Sequence, residues 1–200
     1  MCHAQFFFRV LGLCVVFAIS GCSRLIMMNT EESDSIVKKN IELAGKYFAY
    51  GKNVEAISRV YKALQANPNS TDAYGLLGAI YQDQEEYEAS EKNFLKALSC
   101  NPKASGIRNN YGTLLYVLGR YDKAVSQFQL VAHDLRYDSR HEAFENLGAA
   151  YLKMNQPELA QKAYESAIRL HPGSPIANLK LAYLLFDQSQ WSLAFSHYEM

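Results

Sequence analysis

The sequence has no surplus of either charge. Its 200 residues hold 20 Lys and Arg against 20 Asp and Glu, so nothing draws it in general to nucleic acid or to an acidic surface. Cysteine is scarce and badly placed for pairing. Cys2, Cys14 and Cys22 crowd the amino terminus and Cys100 stands alone, which excludes a disulfide framework. The histidines His3, His133, His141, His171 and His197 are scattered without HxxxH spacing, and no CxxC occurs; no metal-ligand set results. Also missing are a Gly-rich phosphate loop, a GxSxG elbow, an HExxH helix and a supported Cys–His pair. Carboxylates at Glu85, Glu86, Glu88 and Glu91 are interleaved with Lys92 and Lys96. Glu88 and Lys92 form an i,i+4 pair, the mark of a solvated helix face. Cys100 reads as a half-buried small side chain rather than a reactive thiol. No cofactor and no enzymatic activity are expected. Long apolar runs are lacking too: the stretch from Phe6 to Ile19 is broken by Arg9 and is short for a bilayer span.

What is present is repetition. With 49% hydrophobic residues the chain has enough apolar side chains for a sizeable core. In Thr71–Ala104, Tyr74, Leu77, Gly78, Tyr81, Ser90, Phe94, Ala97 and Pro102 fall at positions 4, 7, 8, 11, 20, 24, 27 and 32. The same template fits 37–70 through Leu43, Ala44, Tyr47, Ala56, Val60, Ala63 and Pro68. It fits 105–140 through Tyr111, Gly112, Leu115, Ala124, Phe128 and Val131, in a unit about two residues longer and without the proline. It fits 141–174 through Phe144, Leu147, Gly148, Tyr151, Ala160, Tyr164, Ala167 and Pro172. A fifth unit, 175–200, carries Leu181, Ala182, Leu185, Ala194 and Tyr198 and is incomplete.

This pattern resembles the tetratricopeptide-repeat family, in which each unit of about 34 residues is a pair of antiparallel helices. The expected fold is all-α: a solenoid of helix pairs over 37–200, with about five repeats. Gly78 is small where a neighbouring helix crosses, and Leu77, Tyr81 and Phe94 fill the space around it. Position 15 is the turn between the two helices and reads Gly51, Glu85, Gly119, Asn155 and Ser189; four of the five suit a helix stop. A solenoid end needs a polar cap. Trp191, Phe195 and Tyr198 do not supply one, so the expectation is a fragment, or else a partner covering that end.

Residues 1–21 read as a targeting segment. Ile19-Ser20-Gly21-Cys22 resembles the lipobox of bacterial lipoproteins: an aliphatic residue, two small ones, then the acylated cysteine. The alternative is an ordinary cysteine behind a signal-anchor. Several acyl chains on Cys22, at about 0.8 kcal/mol per buried methylene, anchor a domain durably. Ser23 in place of Asp implies, by the same resemblance, sorting to the outer membrane with the domain facing the periplasm. Residues 22–36 form a lipidated tether. Its Leu25, Ile26, Met27 and Met28 lie either against lipid or a partner, or on the first repeat. Glu31, Glu32 and Asp34 precede the first helix, where negative charge suits the helix dipole.

Function is therefore expected from a surface. In stacked hairpins of this kind the first helix of each pair lines the concave face. Reading the corresponding positions gives Ile41, Phe48, Asn109, Tyr116, Leu152, Leu179, Tyr183 and Phe186 as a peptide-binding groove. Gly75, Ala79, Gln82, Thr113, Val117, Glu145, Ala149 and Ile176 fall at equivalent positions. The groove is partly apolar and aromatic, with Asn109 placed to hold a backbone amide, and suits a peptide with spaced hydrophobic anchors. The competing expectation is that some of these residues pack against adjacent units. The carboxylate-clamp members of the family place Lys and Asn where this chain has Ile41 and Gly45, so that function is not expected.

Lipobox, tether and repeats together resemble the type IV pilus biogenesis and stability lipoproteins, the pilotins of the outer membrane. Asn109-Asn110-Tyr111-Gly112, Gly119-Arg120-Tyr121 with Ala124, and Asn178–Ala194 carry the closer likeness. The resemblance implies binding of the pilus secretin subunit, its delivery to the outer membrane and support of its multimerisation, with a lipid anchor and no nucleic acid. Two other readings stand beside it. One is a scaffold for another envelope assembly; the other is a regulatory subunit of a peptidoglycan enzyme.

Overall fold

The structure, a computed structural model, describes residues 31–199. The lipobox, Cys22 and most of the tether lie outside these residues. Among the described residues there are ten helices and no strand. They are α1 (31–49), α2 (Asn53–Ala66), α3 (Thr71–Asp83), α4 (Tyr87–Cys100), α5 (Ser105–Val117), α6 (Tyr121–Ala132), α7 (Arg140–Lys153), α8 (Pro157–Leu170), α9 (Pro175–Asp187) and α10 (Trp191–Tyr198). The described residues fall into two compact units, one ending at Ala73 and one starting at Tyr74, with the boundary inside α3.

In the first unit, α1 starts earlier than the sequence suggests. Residues 31–36, expected in the tether, belong to it. A tertiary contact and charge hold this stretch: Ser33 Oγ donates to the Ala66 carbonyl of α2 at 2.9 Å, and Glu31, Glu32 and Asp34 stand at the positive end of the helix. Ala44, Ala56, Val60 and Ala63 are fully buried.

In the second unit consecutive helices from α4 to α10 pack on one another, and α5 also touches α7. Aromatic rings set the spacing within three of the pairs, α3–α4, α5–α6 and α7–α8. Phe94, Phe128 and Tyr164 are buried, and each lies over the glycine at position 8 of its own repeat. A Cβ at Gly78, Gly112 or Gly148 would stand 2.6, 2.5 and 2.5 Å from those rings respectively. No side chain fits there. The buried Ser90 also ties the α3–α4 pair by donating to the Gly78 carbonyl at 2.8 Å.

The five turns within pairs are alike in detail. Gly51, Glu85, Gly119, Asn155 and Ser189 all have positive φ, between 57° and 71°. Around each, two bonds close the helix end, as where Glu85 N reaches Gln82 O at 3.0 Å and Glu86 N reaches Tyr81 O at 2.8 Å. This is the Schellman arrangement, with a left-handed residue just past the last turn. Glu85, the one position that suits a stop poorly by sequence, takes the same conformation as the two glycines.

Joints between repeats use a different chemistry. Asn67 and Asn101 turn their side-chain oxygens onto the backbone N–H two residues on, at 2.9 and 3.0 Å, and Pro68 and Pro102 follow them. The longer third repeat replaces this joint with the loop 133–139, where Asp134 accepts from the Arg136 N–H at 3.2 Å.

Candidate functional site

Of the groove residues expected from sequence, Ile41 and Phe48 lie half-buried on α1 in the first unit. The other six belong to the second unit, on α5, α7 and α9. Their exposure rises along the chain. Asn109 is only 6% exposed and Tyr116 is half-buried, whereas Tyr183 and Phe186 are 58% and 56% exposed. Leu152 and Leu179 are partly open.

Asn109 does not stand free to hold a peptide amide. Its Oδ1 accepts from Asn146 Nδ2 at 3.1 Å, so its side chain is a cross-link between α5 and α7. Buried polar groups are satisfied before they are offered, and here the satisfaction comes from the next repeat. Tyr116 is committed in part as well: its ring meets Tyr121 edge-on at 5.4 Å and packs on the core of the third and fourth repeats.

At the α9 end the large side chains are exposed. Tyr183, Phe186, Trp191, Phe195 and Tyr198 surround a cleft of about 490 Å³ floored by Ala182 and Ala194. Phe186 and Trp191 meet edge-to-face at 4.6 Å and 83°, which holds both rings upright at the rim. Trp191, Phe195 and Tyr198 belong to the second helix of their pair, which is why a reading limited to first helices leaves them out of the site. Their signal in the sequence is aromatic crowding where the fourth repeat carries Pro157 and Gln161.

The polar groups between these ends are oriented by each other. Ser174 caps α9 by accepting from Ala177 N at 3.1 Å, and its hydroxyl donates to Glu145 Oε1 at 2.5 Å. Asn178, fully buried, donates to the carbonyls of Pro172 and Ser174 at 2.8 and 2.9 Å. Beneath the groove the Tyr164 hydroxyl is buried without a hydrogen-bond partner. Burial, with Tyr116 and Glu145 nearby, pushes its phenol above the usual tyrosine range. Tyr111 is raised likewise, first by burial and then by Glu91, whose carboxylate its hydroxyl meets at 3.1 Å.

Nothing in this arrangement is a nucleophile with a base, and among the described residues no group of three His, Cys, Asp or Glu side chains gathers for a metal. No helix among them is long and apolar enough to cross a membrane. What the geometry offers is a partly polar face ending in an open aromatic cleft. Such a surface takes up an apolar side chain or a short amphipathic segment.

Three tetratricopeptide-repeat family models match, over residues 71–103, 93–126 and 146–200. The type IV pilus assembly protein PilF of Pseudomonas aeruginosa is 31% identical over 160 residues, 80% of this chain and 64% of that protein. The chain thus spans somewhat under two thirds of that relative. The solved structure of Pseudomonas aeruginosa PilF aligns with a TM-score of 0.82 at 30% identity, over 84% of this chain and 75% of that one. PilW, described as a widely conserved type IV pilus biogenesis factor, aligns with a TM-score of 0.75 at 25% identity, over 82% and 76%. Helix order, the glycine–aromatic pairs and these likenesses agree: the chain belongs to the tetratricopeptide-repeat family and, within it, is a homologue of PilF and PilW.

Proposed function

We propose that this protein is a type IV pilus biogenesis adaptor that binds the secretin subunit through the α9 end of its groove. Lipid on Cys22 holds it at the periplasmic face of the outer membrane. The observation that carries the reading is the open cleft of Tyr183, Phe186, Trp191 and Phe195 in a chain similar to PilF over most of its length. Exposed aromatic side chains held upright by one another are the usual anchors of a protein interface, because they desolvate a large area at small cost in side-chain entropy. An amphipathic secretin segment seated there is shielded from aggregation until it reaches the membrane. The lipid supplies the destination and the cleft the cargo.

The test is the amount of detergent-resistant secretin multimer in outer membranes. Wild type is compared with a deletion strain, Cys22→Ala and Tyr183→Ala/Phe186→Ala. The expected result is loss of multimer on deletion, multimer stranded in the inner membrane with Cys22→Ala, and reduced multimer with the cleft variant. Unchanged multimer in the deletion strain overturns the reading and leaves a scaffold for another envelope assembly in its place.

A further inference from the structure

A second surface lies away from the aromatic cleft. Between the start of α5 and the end of α6, with the loop 133–139, is a cleft of about 650 Å³. Lys103, Arg108 and Arg136 line it, against one carboxylate, Asp134. In a chain of zero formal charge that is a local excess of positive charge.

Asp134 does not neutralise it. Its carboxylate accepts from Ser105 Oγ at 2.7 Å and from Arg136 Nε at 3.1 Å, so it is matched to Arg136 alone. These hydrogen bonds hold its pKa below the usual carboxylate value, Ser105 contributing most and Arg136 next. Among the described residues Arg108 has no acidic partner. Its Nη1 donates to Gln127 Oε1 at 2.8 Å and its Nη2 to the Pro102 carbonyl at 2.5 Å. Two neutral acceptors therefore orient the guanidinium and leave its charge uncompensated. An oriented fork with donors to spare is the form in which arginine binds carboxylates. Lys103 stands exposed beside it. Leu130, 57% exposed, gives the same cleft an apolar wall.

We propose that this cleft is a second recognition site, for an acidic peptide segment in which Asp or Glu neighbours an aliphatic side chain. The carboxylate meets Arg108 and Lys103, and the aliphatic group lies on Leu130. A peptide fits better than a bilayer surface, because the cations line a recess rather than project from one plane. The longer third repeat shapes the recess: its loop 133–139 carries Asp134, and Arg136 stands at position 32, where other joints carry Pro68, Pro102 and Pro172. The inference is independent of the aromatic cleft, and its failure leaves the adaptor reading intact.

The test is a two-dimensional NMR titration of the full chain with Ac-Leu-Asp-Glu-Leu-NH2 and with its neutral counterpart Ac-Leu-Asn-Gln-Leu-NH2. The expected result is saturable shifts at residues 102–108 and 126–136 with the acidic peptide alone. Affinity should fall at least about fivefold in Arg108→Gln and in Lys103→Gln, and fall again as salt rises from about 50 to about 300 mM. Lys103 is exposed, so its variant tests the site even if Arg108→Gln unfolds. Three outcomes overturn the proposal: equal binding of the neutral peptide, unchanged affinity in Lys103→Gln, or saturation of the same shifts by inorganic phosphate at the peptide's concentration. A fourth is sedimentation with phosphatidylcholine–phosphatidylglycerol vesicles, lost in Lys103→Gln, while the acidic peptide gives no shift; that result assigns the surface to a membrane.

Discussion

Glu85 carries a left-handed backbone at φ 60°, a conformation that disfavours a side chain with a Cβ by roughly 1–2 kcal/mol. The neighbouring repeats put Gly51 and Gly119 at the same point. Glu85→Gly should therefore stabilise the protein by up to about 1 kcal/mol, since part of the gain is offset by the greater freedom of glycine in the unfolded chain. Urea denaturation at fixed slope reads this directly. Tyr164 is the converse case, a residue with one atom too many. Phe94 and Phe128 fill the equivalent sites without a hydroxyl, whereas that of Tyr164 is buried and unpartnered. Tyr164→Phe should leave stability unchanged or raise it by up to about 1 kcal/mol. It should also alter the alkaline limb. The folded-state pKa of Tyr164 is raised, so the unfolded chain ionises first, from pH about 10 upward. Stability present below that pH is lost above it. In Tyr164→Phe the decline above pH about 10 should be shallower than in wild type.

At the scale of the element, α9 and α10 differ from the helices before them. In the fourth repeat the ring at position 24, Tyr164, is 1% exposed; in the fifth, Tyr198 is 68% exposed. Position 8 explains part of this, because Ala182 carries the Cβ that the preceding glycines omit. The ring has no close seat and stays at the cleft. Trp191 is the only tryptophan in the chain, so its emission reports on this cleft alone. Titration with a tryptophan-free secretin fragment should shift that emission to the blue and saturate. Phe186→Ala should weaken the binding about tenfold, as for an interface anchor of 1–2 kcal/mol. A flat titration would remove the cleft from the proposed interface. The α5–α7 cross-link is a separate device. Losing the Asn109–Asn146 bond in Asn109→Ala should destabilise the unit by about 1–2 kcal/mol without changing the emission titration, because Asn109 serves packing.

In the whole molecule, stability is transmitted between neighbours. Phe128 and Val131 of the third repeat share one core with Ala143, Leu147, Ala150 and Ala163 of the fourth. Tyr164 and Ala167 join a second core with Ala177, Leu181 and Leu185 of the fifth. Placing a Cβ at Gly112 or Gly148 drives it into a ring that touches its neighbours, at a cost of about 1–3 kcal/mol each. In stacked repeats such effects couple between adjacent units and add between distant ones. Gly112→Ala and Gly148→Ala should show a coupling of about 0.5 kcal/mol or more in a double-mutant cycle. Gly78→Ala with Gly148→Ala should add within about 0.3–0.5 kcal/mol. The reverse order would mean that the repeats do not transmit strain through their shared cores.

The helix pairs, their small–aromatic contacts and the turn positions were legible in the sequence because they are local. A glycine sixteen residues before a ring, or a stop at position 15, repeats with the chain and needs no knowledge of distant partners. The five left-handed turns go further than the sequence reading, since Glu85 conforms only because the flanking helices over-determine it. Other features depended on what each side chain meets across helices. Asn109 looks like a groove donor in one dimension and is a cross-link in three, because Asn146 lies opposite it. The aromatic cleft draws on two helices of one pair, and the basic recess on residues about thirty apart. Periodicity fixes which residues face a neighbour. Only the tertiary structure decides which of them the neighbour leaves uncovered, because burial depends on the volume and hydrogen-bonding capacity of both faces at once.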